Sequence, residues 1–293
     1  MNIGRRVFGF IAIALSAISV AAVAEPFKLE VYNPGTKSIF PVSSELIIGK
    51  KDVVLIDAQF QRNDAEALVK KIRATGKNLT TIFITHKDPD FYFGLDTITK
   101  AFPKAKVLAT KHTVNDIKES MDGKLKYWAP ILKENAPKEV ILPTVLEGNS
   151  FTLEGEKIEV IGLDGASPSD TFLWIPSIKA ALGGVIVYGK MHLWVADNQS
   201  EESRKHWFET MDVMEKLNPK RIVPGHFLAN APQNLESLKY TRNYLKAFEV
   251  EAKKAKDAKT LIARMQKLYP SSGGKTELEM SAKVIKGEMK WPM

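Results

Sequence analysis

The chain has 293 residues, of which 44% are apolar and 26% charged, and a formal net charge of +8. That length suits one large α/β domain or two modest ones, and the ordinary composition excludes a disordered chain or a polytopic membrane protein. Cysteine is absent, which excludes thiol nucleophiles and leaves nitrogen and oxygen as the only ligands for any metal.

The first residues stand apart from the rest. Arg5-Arg6 is a short basic segment, Val7 to Val23 is almost wholly apolar, and Ala22-Val23-Ala24 has the small-x-small form of a cleavage site. We expect a signal peptide over residues 1–24, cleaved after Ala24, and a periplasmic or secreted product. The apolar run is shorter than the roughly 20 residues of a spanning helix, so no stable membrane span is expected after cleavage.

Short strands follow, at Phe27 to Tyr32, Ser38 to Phe40, Ser44 to Gly49 and Val53 to Ala58, the last two joined by a Gly49-Lys50-Lys51-Asp52 turn. Asp57 closes the apolar run Val53-Val54-Leu55-Ile56, and a carboxylate at the end of a buried strand needs a hydrogen-bonding partner. Asn63 opens a helix with Ala65, Leu68, Val69 and Ile72 on one face, ended by Gly76. A strand at Thr80 to Ile84 then leads into Thr85-His86-Lys87-Asp88-Pro89-Asp90-Phe91-Tyr92-Phe93-Gly94, a helix from Tyr92 to Phe102, and a strand at Lys106 to Ala109.

Residues 111–135 read as a helix whose stripe of Met121, Tyr127, Trp128, Ile131 and Leu132 suits packing. Strands are expected at Glu139 to Leu142, Ser150 to Leu153, Lys157 to Gly162, Thr171 to Pro176 and Ala180 to Tyr188. A helix from Glu201 to Leu217 and a strand at Arg221 to Val223 end at Pro224-Gly225-His226. The remainder is helical and rich in lysine, over Pro232 to Leu268 and Thr276 to Gly287. The lysines are spread along the chain and gather only towards its C-terminus, as on solvated helix faces, so no nucleic-acid partner is expected. Each half places strands first and α/β units second. This suggests two sheets packed face to face, helices outside, and loops of both halves meeting along one edge.

Chemistry is expected in the loop after Ile84. If the chain stays extended there, His86, Asp88 and Asp90 project into one space, and Pro89 biases Asp88 to the extended conformation. Two carboxylates so close repel unless a cation lies between them. The bland reading of the same residues is an acidic loop capping the next helix, with Asp90 as N-cap.

From Ser38 to Leu228 the chain resembles the metallo-β-lactamase fold superfamily. Val53 to Asp57 matches the family's strand ending in Asp, and Thr81-Ile82-Phe83-Ile84-Thr85-His86 matches the strand into its HxHxDH motif. Gly165-Ala166-Ser167-Pro168, Gly184-Val185 and Pro224-Gly225-His226 fall on its Gly-His-Thr-Pro, Gly-Asp and Gly-His segments. The resemblance implies an α/β fold of αββα four-layer sandwich form, over residues 25–230, with extra C-terminal helices over 231–293 packed on that domain. Of the family's ligands the chain keeps His86, Asp90 and His226. Asp88 replaces the second His, and Phe91, Ala166 and Val185 replace the others. Val185 removes the residue that bridges two metals. The His-x-Asp-x-Asp pattern, with Val187, Tyr188, His192 and Trp194, marks a divergent branch.

The resemblance implies one divalent metal ion on His86, Asp88, Asp90 and His226, zinc or a harder ion such as manganese or iron. Asp90 would orient the attacking water as general base, and Asp57 would fix a ligand. His192 and Tyr92 are further candidates to orient a ligand or to touch substrate, and Asp164 or Asp170 to fill the place lost at Ala166. The expected activity is hydrolysis of a small-molecule ester, lactone, amide or phosphodiester. The alternative is a metal-free binding or scaffold protein that retains the fold, with Lys87 or Lys190 as counter-charge. A homo-oligomer stays open, since the C-terminal helices suit either a dimer surface or a cover for the site.

Overall fold

The computed structural model describes residues 27–165 and 170–291; the expected signal peptide and Ala166 lie outside them. Strands β1 (Lys28–Tyr32), β2 (Ser44–Ile48) and β3 (Asp52–Ile56) form an antiparallel meander. Helix α1 (Arg62–Ala74) returns the chain to β4 (Asn78–Ile84), and the short α2 (Pro89–Tyr92) and α3 (Leu95–Ala101) lead to β5 (Lys106–Ala109). The long α4 (Lys111–Leu132) precedes β6 (Thr144–Val145), so that one sheet runs β1-β2-β3-β4-β5-β6 with its last four strands parallel.

The second half supplies β7 (Ser150–Leu153), β8 (Glu156–Ile161), β9 (Phe172–Ile175), β10 (Ala180–Leu182) and β11 (Tyr188–Gly189). It continues with α5 (Glu201–Lys216), β12 (Arg221–Ile222) and β13 (His226–Phe227). The second sheet has the order β12-β10-β9-β8-β7, and β11 pairs with β13 in parallel beside it. Helices α6 (Leu235–Lys254), α7 (Ala258–Leu268) and α8 (Lys275–Ile285) complete the described chain.

Strand alternation decides the layers. Successive side chains of a strand face opposite sides, and in β3 Val53 and Leu55 join a core shared with α1, α3 and α4 while Val54 and Ile56 join the core between the sheets. In β9 Leu173 and Ile175 face that same inner core, whereas Phe172 and Trp174 face a third core built with α5 to α8. The result is the αββα sandwich. The C-terminal helices belong to its outer layer, since Leu238, Tyr244, Leu261 and Leu278 are buried in one cluster with Phe172 and Trp207.

Some expected elements take a different form. Ser38 to Phe40 is not a strand; a 3-10 turn occupies Gly35–Lys37, and Phe40 packs its ring on Phe60 and Trp128. Glu139 to Leu142 is unpaired, and pairing begins only after Pro143, which has no N–H to give a ladder. The strand expected over Ala180 to Tyr188 stops at Leu182, because Gly183 and Gly184 both take positive φ, 80° and 68°, and turn the chain. The helix expected from Tyr92 instead starts at Pro89 and is interrupted at Gly94.

Candidate active site

The ends of β3 and β4 are locked together before any cleft residue is placed. Asp57 accepts hydrogen bonds from the Thr85 N–H at 2.8 Å and the Thr85 hydroxyl at 2.6 Å, and Thr85 Oγ1 in turn accepts from the Gly184 N–H at 2.8 Å. One hydroxyl thus joins β3, β4 and the turn after β10. Burial pushes the Asp57 carboxyl well above its ordinary pKa, with the Thr85 bonds opposing. The β3 tail then runs along the loop: the Ala58 N–H donates to Phe91 O at 2.7 Å and the Gly94 N–H to Gln59 O at 2.9 Å. Gly94 is required here, since a Cβ would lie 2.0 Å from Ala58 O.

This pinning sets out the His86 to Gly94 segment as two ionisable pairs. In the first, Lys124 Nζ from α4 reaches Asp88 Oδ1 at 3.0 Å and Lys87 O at 2.9 Å. His86 Nδ1 lies 3.5 Å from Asp88 Oδ2 and accepts the Asp88 N–H at 3.3 Å. Asp88 is extended at φ −81°, ψ 147°, as Pro89 requires, and occupies the N-cap position of α2 without making a side-chain cap bond. The capping expectation for Asp90 is therefore corrected: Asp90 lies inside the first turn. Burial raises the Asp88 pKa, but Lys124 and His86 outweigh it and hold the carboxyl at about 2. Burial lowers His86, with Asp88 opposing.

In the second pair His226 Nε2 lies 3.3 Å from Asp90 Oδ2. His226 arrives on β13 behind Gly225, whose own lack of a Cβ lets the backbone pass Gly184 O, 2.1 Å from where that Cβ would sit. The His226 ring stacks on Tyr188 at 5.6 Å and 22°. Burial, with the charge of His86, lowers its pKa to about 4, so the imidazole is neutral near pH 7. Burial first and Asp88 second push Asp90 well above the ordinary carboxylate range. Phe91 separates the pairs, packing its ring against His86 at 5.1 Å and His226 at 5.6 Å.

Asp88, Asp90, His226, Lys124 and Val185 open onto a cleft of about 980 Å³. Phe40, Tyr127 and Trp128 form one wall; Trp194, Trp291 and the α8 residues Thr276, Glu277 and Met280 form another. Asp197 fixes the second wall, accepting from Trp194 Nε1 at 2.9 Å and Trp291 Nε1 at 2.6 Å.

The other expected residues are not brought to the cleft. Asp57 is buried behind it and acts on Thr85. Tyr92 is fully buried against Phe93, and its hydroxyl has no hydrogen-bond partner among the described residues. His192 is buried in the outer core, its Nδ1 2.7 Å from the Tyr244 hydroxyl. Asp164 is exposed, whereas Asp170 is buried and close enough for its charge to bear on Lys87. Lys190 lines a separate pocket with Asn230 and Tyr240.

A metal ion needs donors with free lone pairs converging on one point. Here Lys124 engages Asp88, the Asp88 N–H engages one His86 nitrogen, and neither Phe91, packed between His86 and His226, nor Val185 on the cleft carries a donor. Among the described residues no group of three or more His, Asp or Glu side chains is arranged to hold a metal. As arranged here these residues do not fit the expected ion: His86, Asp88, Asp90 and His226 form two pairs and do not converge on one point. Reasoning from sequence missed Lys124, Asp197 and Trp291. Only Lys124 left a signal: it follows Ile117 by seven and Met121 by three, a lysine on the inward stripe of α4.

Comparison with known proteins bears on this geometry. The sequence profile of the metallo-beta-lactamase superfamily matches residues 39–226. The chain is similar in structure to the metallo-beta-lactamase family protein TTHA1429 from Thermus thermophilus, with TM-score 0.61 and 14% identity over 88% of this chain and 92% of that one. It is also similar to DIM-1 metallo-beta-lactamase exposed to ceftazidime, with TM-score 0.51 and 19% identity over 77% of this chain and 95% of that one. Identities this low speak for the fold alone. Uncharacterized protein YobT of Bacillus subtilis (strain 168) is 32% identical over 74 residues, 25% of this chain and 31% of that protein, so the match spans under a third of that relative.

Proposed function

The chain belongs to the metallo-beta-lactamase superfamily, and from that membership we propose an exported hydrolase that cleaves a carboxylic ester or lactone bond of a small molecule in the cleft. The observation that carries this reading is the Asp90–His226 pair, 3.3 Å apart, opening onto a cleft walled by Phe40, Tyr127, Trp128, Trp194 and Trp291. Aromatic walls favour a substrate with an apolar body. The lining carries the acids Asp88, Asp116, Glu119 and Asp197 against the ammoniums of Lys87, Lys124 and Lys126, with Asp90 and Glu277 pushed up by burial, a balance with no net positive charge to draw a phosphodiester anion.

In this reading the ionised form of Asp90, beside His226 Nε2 and made more basic by its burial, takes a proton from water as the water oxygen bonds to the carbonyl carbon. The carbon–oxygen bond to the leaving group then breaks, and the leaving oxygen recovers that proton from Asp90. The Lys124 ammonium, opening onto the same cleft, offsets charge gathering on the carbonyl oxygen. Export rests on the sequence of residues 1–24, and N-terminal sequencing of periplasmic or secreted protein should begin at Glu25.

Chromogenic esters, lactones and phosphodiesters test the assignment. Ester or lactone turnover is expected, with Asp90→Asn and His226→Ala each lowering kcat/KM by roughly a hundredfold or more. Variants as active as the parent, or turnover confined to phosphodiesters, would overturn it. A second reading, a binding protein that keeps the fold without catalysis, is favoured by the Lys124–Asp88 ion pair. It predicts no turnover of any class, and cellular function intact with alanine at His86 or His226.

A further inference from the structure

We propose that the Lys124 ammonium is the resident cation of this site and stands in place of a divalent metal. The inference rests on the site described above but not on its catalysis. A carboxylate buried in this loop either meets positive charge or shifts towards its neutral form, and Asp88 meets a charge that comes from another element. Lys124 leaves the inward stripe of α4, spans to the loop, and bonds both Asp88 Oδ1 at 3.0 Å and the Lys87 carbonyl at 2.9 Å.

The ion pair is sheltered, with side-chain exposures of 20% for Lys124 and 22% for Asp88. An ammonium there satisfies Asp88 and repels a second cation from the same oxygen. Three further features agree with a site organised around a lysine. His86 spends its Nδ1 lone pair on the Asp88 N–H. Phe91 fills the space between His86 and His226 with a ring that has no donor. Val185 puts an isopropyl group on the cleft where a ligand would be needed. Lys87 adds to the positive charge around Asp88 from farther off, but the ammonium bonded to the carboxylate is that of Lys124, while Lys87 lies 3.9 Å from Asp116.

The test is titration of the full chain, freed of its leader, with zinc and with manganese by calorimetry, with no substrate present. The parent and Lys124→Arg, which keeps the charge, should bind neither ion at micromolar concentration. Lys124→Gln frees Asp88, and adding Phe91→His supplies a donor; together they should raise zinc affinity by roughly tenfold or more. Asp88→Asn in the double variant should remove that gain. Thermal melting of each variant establishes that it is folded, and Lys124→Met serves if Lys124→Gln is not. One equivalent of metal bound tightly by the parent, or an affinity indifferent to residue 124 in folded variants, would overturn the proposal. Hydrolysis failing while the metal gain appears would sink only the catalytic reading.

Discussion

Thr85 places its hydroxyl between the Asp57 carboxylate and the Gly184 amide, and through them sets where His86 begins. Removing it strands a buried carboxyl oxygen and a buried N–H, which costs roughly 1–3 kcal/mol. Thr85→Val should therefore lower stability by that amount in denaturant unfolding, while Thr85→Ser should keep most of it. Glu45 is the other costly buried acid. Burial pushes it up to about 8 from 4.5, although Ser43 and Arg221 pull the other way. Between pH 4.5 and 8 the folded chain holds a proton that the unfolded chain has released, so stability declines as pH rises through that window. Glu45→Gln should raise the melting temperature above pH 8, by on the order of a few kcal/mol of stability, and leave it unchanged below pH 4.5. Both effects come from residues that spacing alone does not reveal. Asp57 was legible because a carboxylate ended an apolar strand, whereas Thr85 and Glu45 take their meaning from partners brought by other strands.

The loop from His86 to Gly94 behaves as one element because β3 holds both of its ends, through the Thr85 and Gly94 contacts. Gly94→Ala would drive a methyl group into the Ala58 carbonyl. Overpacking of this kind costs about 1–3 kcal/mol, and since the loop carries Asp90, ester turnover should fall along with stability. Measuring both in the one variant checks the coupling; a stable variant with shifted activity would show the loop to be held otherwise. The strands that frame this element were legible from alternation, as at Val53 to Ile56, where period two sorts the side chains into two cores. Where sequence and structure differ, backbone chemistry decides: Gly183 and Gly184 end β10 early, and Pro143 delays β6. The crossing of α4 over the loop was not legible, because nothing local to residues 111–132 says which sheet end Lys124 will meet.

At the scale of the molecule, two half-chains and a helical C-terminal segment converge on one cleft. The last described residue, Trp291, closes a wall of it by packing on Trp194 at 5.1 Å and bonding Asp197. Trp291→Ala should raise KM for an apolar ester several-fold while kcat and melting temperature hold, read from steady-state kinetics and thermal denaturation. The sandwich itself was legible, since repeated strand and helix order and the spacing of His86 and His226 place both histidines at one edge. Phe91 and Val185 were legible as positions without a donor; what could not be read was the charge balance within that edge, which depends on a lysine brought there by one helix. The most direct measurement is the metal-to-protein ratio of chain purified without chelators from medium supplemented with zinc and manganese. A lysine-neutralised site predicts well below one equivalent, with no further loss in Asp90→Ala or His226→Ala. One full equivalent that both substitutions remove would contradict it.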